Sequence, residues 1–99
     1  MQNRLLLTAT VEREEALRVT PAGVPVLEVW LRHQSRQTEA GIERDVACEI
    51  QAVIAGEKAR QLSGRLSGCQ IEAQGFVCQR SLRNARLVLH IEHVEFVKG

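Results

Sequence analysis

The chain is poor in aromatic residues: no tyrosine, one tryptophan and two phenylalanines in 99 positions. Its core must therefore be aliphatic. A function that needs a row of stacked rings has only Trp30, Phe76 and Phe96 to draw on. Charge of one sign is also lacking. Thirteen Lys and Arg against twelve Asp and Glu leave +1, so no strong global field draws the chain toward nucleic acid or an anionic membrane. Cys48, Cys69 and Cys78 form an odd set with no CxxC pair. That excludes the even disulfide framework usual in small secreted domains and suits a reducing compartment with free thiols. No apolar run approaches the roughly 20 residues that span a bilayer. The LLL near the N-terminus is interrupted by Arg4 and threonines, and no cleavage-site pattern follows it. These absences predict a soluble, cytoplasmic protein with no membrane partner.

Catalytic signatures are missing as well. Asp45 is the only aspartate, and no GxSxG, HExxH or phosphate-cradling glycine loop is present. An enzyme has only the uncommitted histidines to recommend it. His90 and His93 lie three apart, so a regular strand would point them to opposite faces, and the cysteines are singletons where zinc sites use close pairs. The reading is no metal and no cofactor, with partly solvated imidazoles and small buried thiols.

What is present alternates. The length fits one domain, residues 1–99. Leu5, Leu7, Ala9 and Val11 share one face of a first run, and Leu27, Val29 and Leu31 share one face of a second, Val26 to His33. Between them Thr20-Pro21-Ala22-Gly23 has the composition of a type I turn. Gln34 to Gly41 is polar and reads as a loop. Val46, Cys48, Ile50, Ala52 and Ile54 mark a third strand, with Glu43, Asp45, Ala47 and Glu49 on its other face. Ala59, Leu62 and Leu66 recur at helical spacing and predict a short helix stopped by Gly64 or Gly68. Ile71, Ala73, Gly75 and Val77 give a fourth strand. Leu87, Leu89 and Ile91 give a fifth, in which Val94 and Phe96 fall out of phase, as a bulge near Glu92 and His93 would explain. The result is an all-β chain: a five-stranded OB-fold barrel with one short helix between its third and fourth strands.

The charge pattern is more informative than its sum. From Ala73 to Ile91 there is no acid, yet Arg80, Arg83 and Arg86 fall together. Arginine matches phosphate oxygens and stacks on bases. In an OB barrel the loop joining the last two strands borders the ligand face, which favours nucleic acid over an ordinary solvated hairpin tip.

Several strings also carry a family resemblance: Asn3-Arg4-Leu5, Arg13, Val19-Thr20-Pro21-Ala22-Gly23-Val24-Pro25, His33, Glu39-Ala40-Gly41, Gly75-Phe76 and Leu89-His90. Co-linear over nearly the whole chain, they resemble the PriB family of primosomal replication proteins, small relatives of the single-stranded-DNA-binding proteins. The resemblance implies an OB-fold homodimer without catalytic activity. It implies binding of single-stranded DNA without strict sequence, assistance to the PriA helicase in replication restart, and hand-over to DnaT where the organism has one. It also implies a DNA surface using basic residues at Arg18, Arg44, Arg80, Arg83 and Arg86. The family's aromatic positions are occupied here by Ile42 and Ala47, and a basic position by Gln34.

Two outer-face residues complete the expectations. Trp30 alternates with Glu28 and Arg32. It is either covered in a dimer or loop contact or a relocated stacking platform. Leu6, beside Thr8 and Thr10 on the first strand, suggests a dimer interface that hides an open edge. The acids flanking Ala47 would repel phosphate if that face met DNA. They favour the alternative of a protein-interaction adaptor with weak or no direct DNA binding.

Overall fold

The structure, a computed structural model, describes residues 1–98. Its elements run β1 (Leu5–Glu14), β2 (Arg18–Val19), β3 (Pro25–Glu39), β4 (Ile42–Ala55), α1 (Glu57–Leu62), β5 (Gln70–Gln79) and β6 (Leu87–Phe96). The sheet order is β1-β5-β6-β4-β3-β2, and a further β1–β3 pairing closes β1, β5, β6, β4 and β3 into a barrel. β1 does this by changing partners. Leu5 to Thr10 pair with β5, and Thr10 to Glu14 pair with β3 through a register shift near Val11 and Arg13. All pairings are antiparallel except β4–β6.

The alternation in the sequence maps onto the barrel interior. Val11, Leu27, Val29, Leu31, Ala52, Ile54, Ile71, Ala73 and Leu89 are buried, and Ala59 of α1 with Leu66 plugs one end. The core holds no aromatic residue: Trp30 is half-buried, and Phe76 and Phe96 are exposed. So all three rings, rather than one, lie outside it. The thiols of Cys48 and Cys78 are exposed rather than buried.

The segment Gln34 to Gly41 is not a loop. β3 and β4 continue as a paired ribbon to Glu39 and Ile42, joined by Ala40 and Gly41 at φ 53° and 77°. Two successive positive-φ residues make the tight hairpin turn that matches strand twist. Both faces of this ribbon are wet beyond the barrel, so no apolar alternation was there to mark it.

The slip in the last strand is a bulge at the expected place. Gln74 pairs with His93 but Gly75 pairs with Ile91, leaving Glu92 as the extra residue. The Glu92 carbonyl is taken up by the Lys58 ammonium of α1, which also approaches His93 Nδ1 at 3.5 Å.

The segment between α1 and β5 is tied to β1 by main-chain hydrogen bonds of Val11 with Gly68 and Cys69, 2.8 Å each, and by one carboxylate. Glu14 accepts hydrogen bonds from the amides of Gly64, Leu66 (2.9 Å) and Ser67 (3.2 Å). Removing the carboxylate leaves three amides without that acceptor beside the buried Leu66. Glu14→Ala is expected to cost about 2 kcal/mol, since hydrogen bonds to charged groups contribute roughly 1.5–3 kcal/mol. Denaturant melts check this, and Glu14→Gln, which keeps one carbonyl acceptor, should recover part of the loss.

Candidate nucleic-acid interface

The barrel's outer face is organised in transverse rows. In register, Phe76 of β5 lies opposite His90 of β6, His90 beside Val53 of β4, and Val53 opposite Glu28 of β3. Arg18 of β2 reaches Glu28 from the next position, its guanidinium 3.2 Å from the carboxylate. The neighbouring row runs Cys78, Val88, Gln51, Trp30, Arg13. The Arg13 guanidinium lies 4.1 Å from the Trp30 ring centre, a cation–π contact that covers one face of the ring.

His90, Val53 and Glu28 of the first row border a groove of about 440 Å³, lined with them by Arg18, Val26, Ala55, Arg80, Ser81 and Val88. Its floor is aliphatic and its two walls each carry an arginine. One wall comes from the β1–β3 connection and the other from the β5–β6 loop. An adjoining depression is bordered by Trp30, Glu49, Ile50, Gln51, Arg86 and Leu87. This is the sheet face and loop pair on which OB folds seat oligonucleotides.

The β5–β6 loop is built to hold its shape. The Arg80 amide donates to the Arg86 carbonyl at 2.8 Å, and Ser81 and Asn84 bond each other's backbones at 3.3 and 3.2 Å. Asn84 Oδ1 accepts from the Arg86 amide at 3.0 Å, and Gln79 Nε2 donates to the Ser81 carbonyl at 2.7 Å. Among the described residues, ion pairs engage Arg13, Arg18, Arg36, Arg44 and Arg60, but not Arg80, Arg83 or Arg86. These three cations are held on a closed loop with no acid to satisfy them.

The predicted residues thus fall into three groups. Arg18 and Arg80 meet at the groove, and Trp30 and Arg86 meet at the depression beside it. Arg83 is exposed on the same loop. Arg44 lies apart, paired with Glu39 near the ribbon tip, and alternation puts it on the opposite ribbon face from Trp30 and Ala47. Leu6, Thr8 and Thr10 lie on β1 opposite Gln74, Glu72 and Gln70, also apart from the groove. Leu6 is 62% exposed. The open edge expected for β1 is partly occupied. β5 covers one side, and on the other the Thr8 carbonyl accepts from His33 Nδ1 at 2.7 Å. Since a carbonyl only accepts, Nδ1 is the donor in that bond, and His33 Nε2 lies 2.8 Å from the Ser35 hydroxyl.

The acidic column on β4 is less repulsive than its sequence suggests. Arg36 lies directly across from Asp45 and pairs with both Asp45 (3.3 Å) and Glu43 (3.0 Å). The apolar floor and the Phe76–His90 pair were missed. Phe76 and His90 each fall out of phase with the buried positions around them, which marks them as outward. Their meeting depends on the bulge-shifted register, which composition does not carry.

A family model described as a single-strand binding protein family matches residues 3–93. The replication restart protein PriB of Shewanella halifaxensis is 41% identical over 96 residues, which cover 94% of each chain. That of Erwinia tasmaniensis is 36% identical over 98 residues, 96% of this chain and 93% of the relative. The solved structure of PriB from Ralstonia solanacearum matches with a TM-score of 0.86 at 35% identity, over 98% of this chain and 100% of that one. A match this complete in length, sequence and barrel places the chain in the PriB replication restart family, within the wider family of single-strand binding proteins.

Proposed function

We propose that residues 1–99 act as one non-catalytic OB-fold domain that binds single-stranded DNA during replication restart in the cytoplasm. The observation that carries this reading is the set of unpaired arginines Arg80, Arg83 and Arg86 on a closed loop above an aliphatic groove. Free guanidinium groups meet the phosphates, while the floor and rings take the bases. Arg18 joins from the opposite wall by exchanging Glu28 for a phosphate. Trp30 and Arg86 extend the path, and Arg44 serves only a strand that reaches the ribbon tip. The partners in this reading are the PriA helicase and, where present, DnaT.

The test is oligo-dT binding across a salt series. For single strands the logarithm of affinity falls with the logarithm of salt by about 0.7 per phosphate contact. A slope of this kind supports DNA binding. No binding at low salt, with retained stimulation of the helicase, supports the adaptor reading instead. Two observations favour that second reading. Exposed Ile42 supplies no ring at the ribbon tip, and Leu82 stands fully exposed among the loop arginines, as a protein-docking side chain would.

The homodimer belongs to the same proposal, with Leu6, Thr8 and Thr10 facing the second copy. Sedimentation at micromolar concentration is expected to show twice the 11.1 kDa chain mass, and Leu6→Glu is expected to shift it toward the single chain. A single-chain species in the unaltered protein would remove the dimer.

A further inference from the structure

The stacked Phe76–His90 pair is not explained by the barrel itself. Its rings are nearly parallel, 5° apart, with centres separated by 4.9 Å. Stacked rings touch at about 3.5 Å, so this separation means a lateral offset that leaves part of each ring face uncovered. Phe76 is 38% exposed, and the sheet's bulk of apolar side chains is on the other face. More than a third of Phe76 is thus open to a partner on the outer sheet face.

The surroundings point to the kind of partner. His90 lines the groove together with Arg80 on one wall and the Arg18–Glu28 pair on the other. Val53 continues the floor from the imidazole toward β3, and Val88 flanks it on β6. A flat, partly open π surface, an aliphatic floor and two flanking guanidiniums match the parts of a nucleotide, which are a planar base, a sugar and a phosphate. Glu28 pairs with Arg18, which leaves Arg80 as the guanidinium free of an ion pair beside the stacked rings.

We propose that the Phe76–His90 stack is a base-binding platform, on which one nucleobase stacks while Arg80 holds the neighbouring phosphate. The platform rests on the DNA-binding reading above and specifies where in the groove a base lies. Because any base has a π face, it selects for unpaired bases and not for sequence.

The test compares oligo-dT with an abasic oligonucleotide of equal length, which keeps the phosphates and removes the bases. The unaltered protein is expected to prefer oligo-dT. Phe76→Leu keeps an apolar side chain but removes the ring. It is expected to weaken oligo-dT binding by about 5- to 150-fold, the range for one lost stacking partner, and to leave abasic binding and the salt slope unchanged. Unchanged oligo-dT binding by Phe76→Leu overturns the platform and leaves the DNA reading intact. Failure of the unaltered protein to bind either oligonucleotide overturns both. If Phe76→Leu loses abasic binding too, its fold is disturbed and Phe76→Trp decides. That variant restores a larger ring and is expected to match or exceed the unaltered protein on oligo-dT. Weaker oligo-dT binding by Phe76→Trp than by the unaltered protein, with normal abasic binding, overturns the platform.

Discussion

Replacing Gly75 by alanine is expected to lower the melting temperature by about 12–24 °C, from a loss near 3 kcal/mol at roughly 4–8 °C per kcal/mol for a domain of this size. The reason lies in how β5 crosses β6. Gly75 sits where the register shifts around the Glu92 bulge. A Cβ added there would overlap the His90 carbonyl oxygen and lie 2.8 Å from its carbon and 3.1 Å from the Ile91 Cα. All of these are main-chain atoms, so relief requires moving a strand of a closed barrel and not turning a side chain. Ile91 and Leu89 belong to the core on that strand, and a shift opens their packing. The same shift separates Phe76 from His90. Gly75→Ala should therefore also weaken oligo-dT binding at temperatures where the variant is still folded. A melting temperature within a few degrees of the unaltered protein would show that the barrel yields there more easily than close packing allows.

Changing Arg80, Arg83 and Arg86 together to alanine is expected to reduce the salt slope of oligo-dT binding by about 2, three contacts at about 0.7 each. Affinity at low salt should fall with it, and stability should hardly change. The second half of that expectation follows from the loop's construction. The loop is closed by its own backbone and by Asn84, Ser81 and Gln79, and no ion pair of these arginines is lost. A melting curve and a salt series on one preparation separate the two effects. An unchanged slope would place the phosphate contacts elsewhere, with Arg18 and Arg44 the next candidates once released from Glu28 and Glu39.

Most of the barrel was legible because each of its strands has one dry and one wet face. Leu27, Val29 and Leu31 announce β3 in this way, and the phase change between Ile91 and Val94 announces the bulge. The ribbon was not legible for the converse reason: Gln34 to Glu39 are strand residues with water on both sides. β2 is two residues long, too short to show any period. The basic loop could be read from charge alone. The groove could not, because its floor gathers Val26, Val53, Ala55 and Val88 from three strands. Each looks like a stray outward aliphatic until the β4–β6 pairing is known. The charge on β4 misled in the same way. Glu43 and Asp45 read as an acidic stripe, and only the β3–β4 register sets Arg36 against them. The shortage of rings proves to be a matter of placement: all three lie outside the core, and one is stacked beside the groove.

The central claim is that single-stranded DNA lies in the outer groove between Arg18 and Arg80. An amide-resolved NMR titration with oligo-dT tests it most directly. The predicted result is a set of shift changes centred on Arg18, Val53, Arg80, Ser81 and His90, spreading to Arg86 and Trp30. Shift changes confined to the β1 face around Leu6 or to the ribbon tip, with the groove amides unmoved, would contradict it.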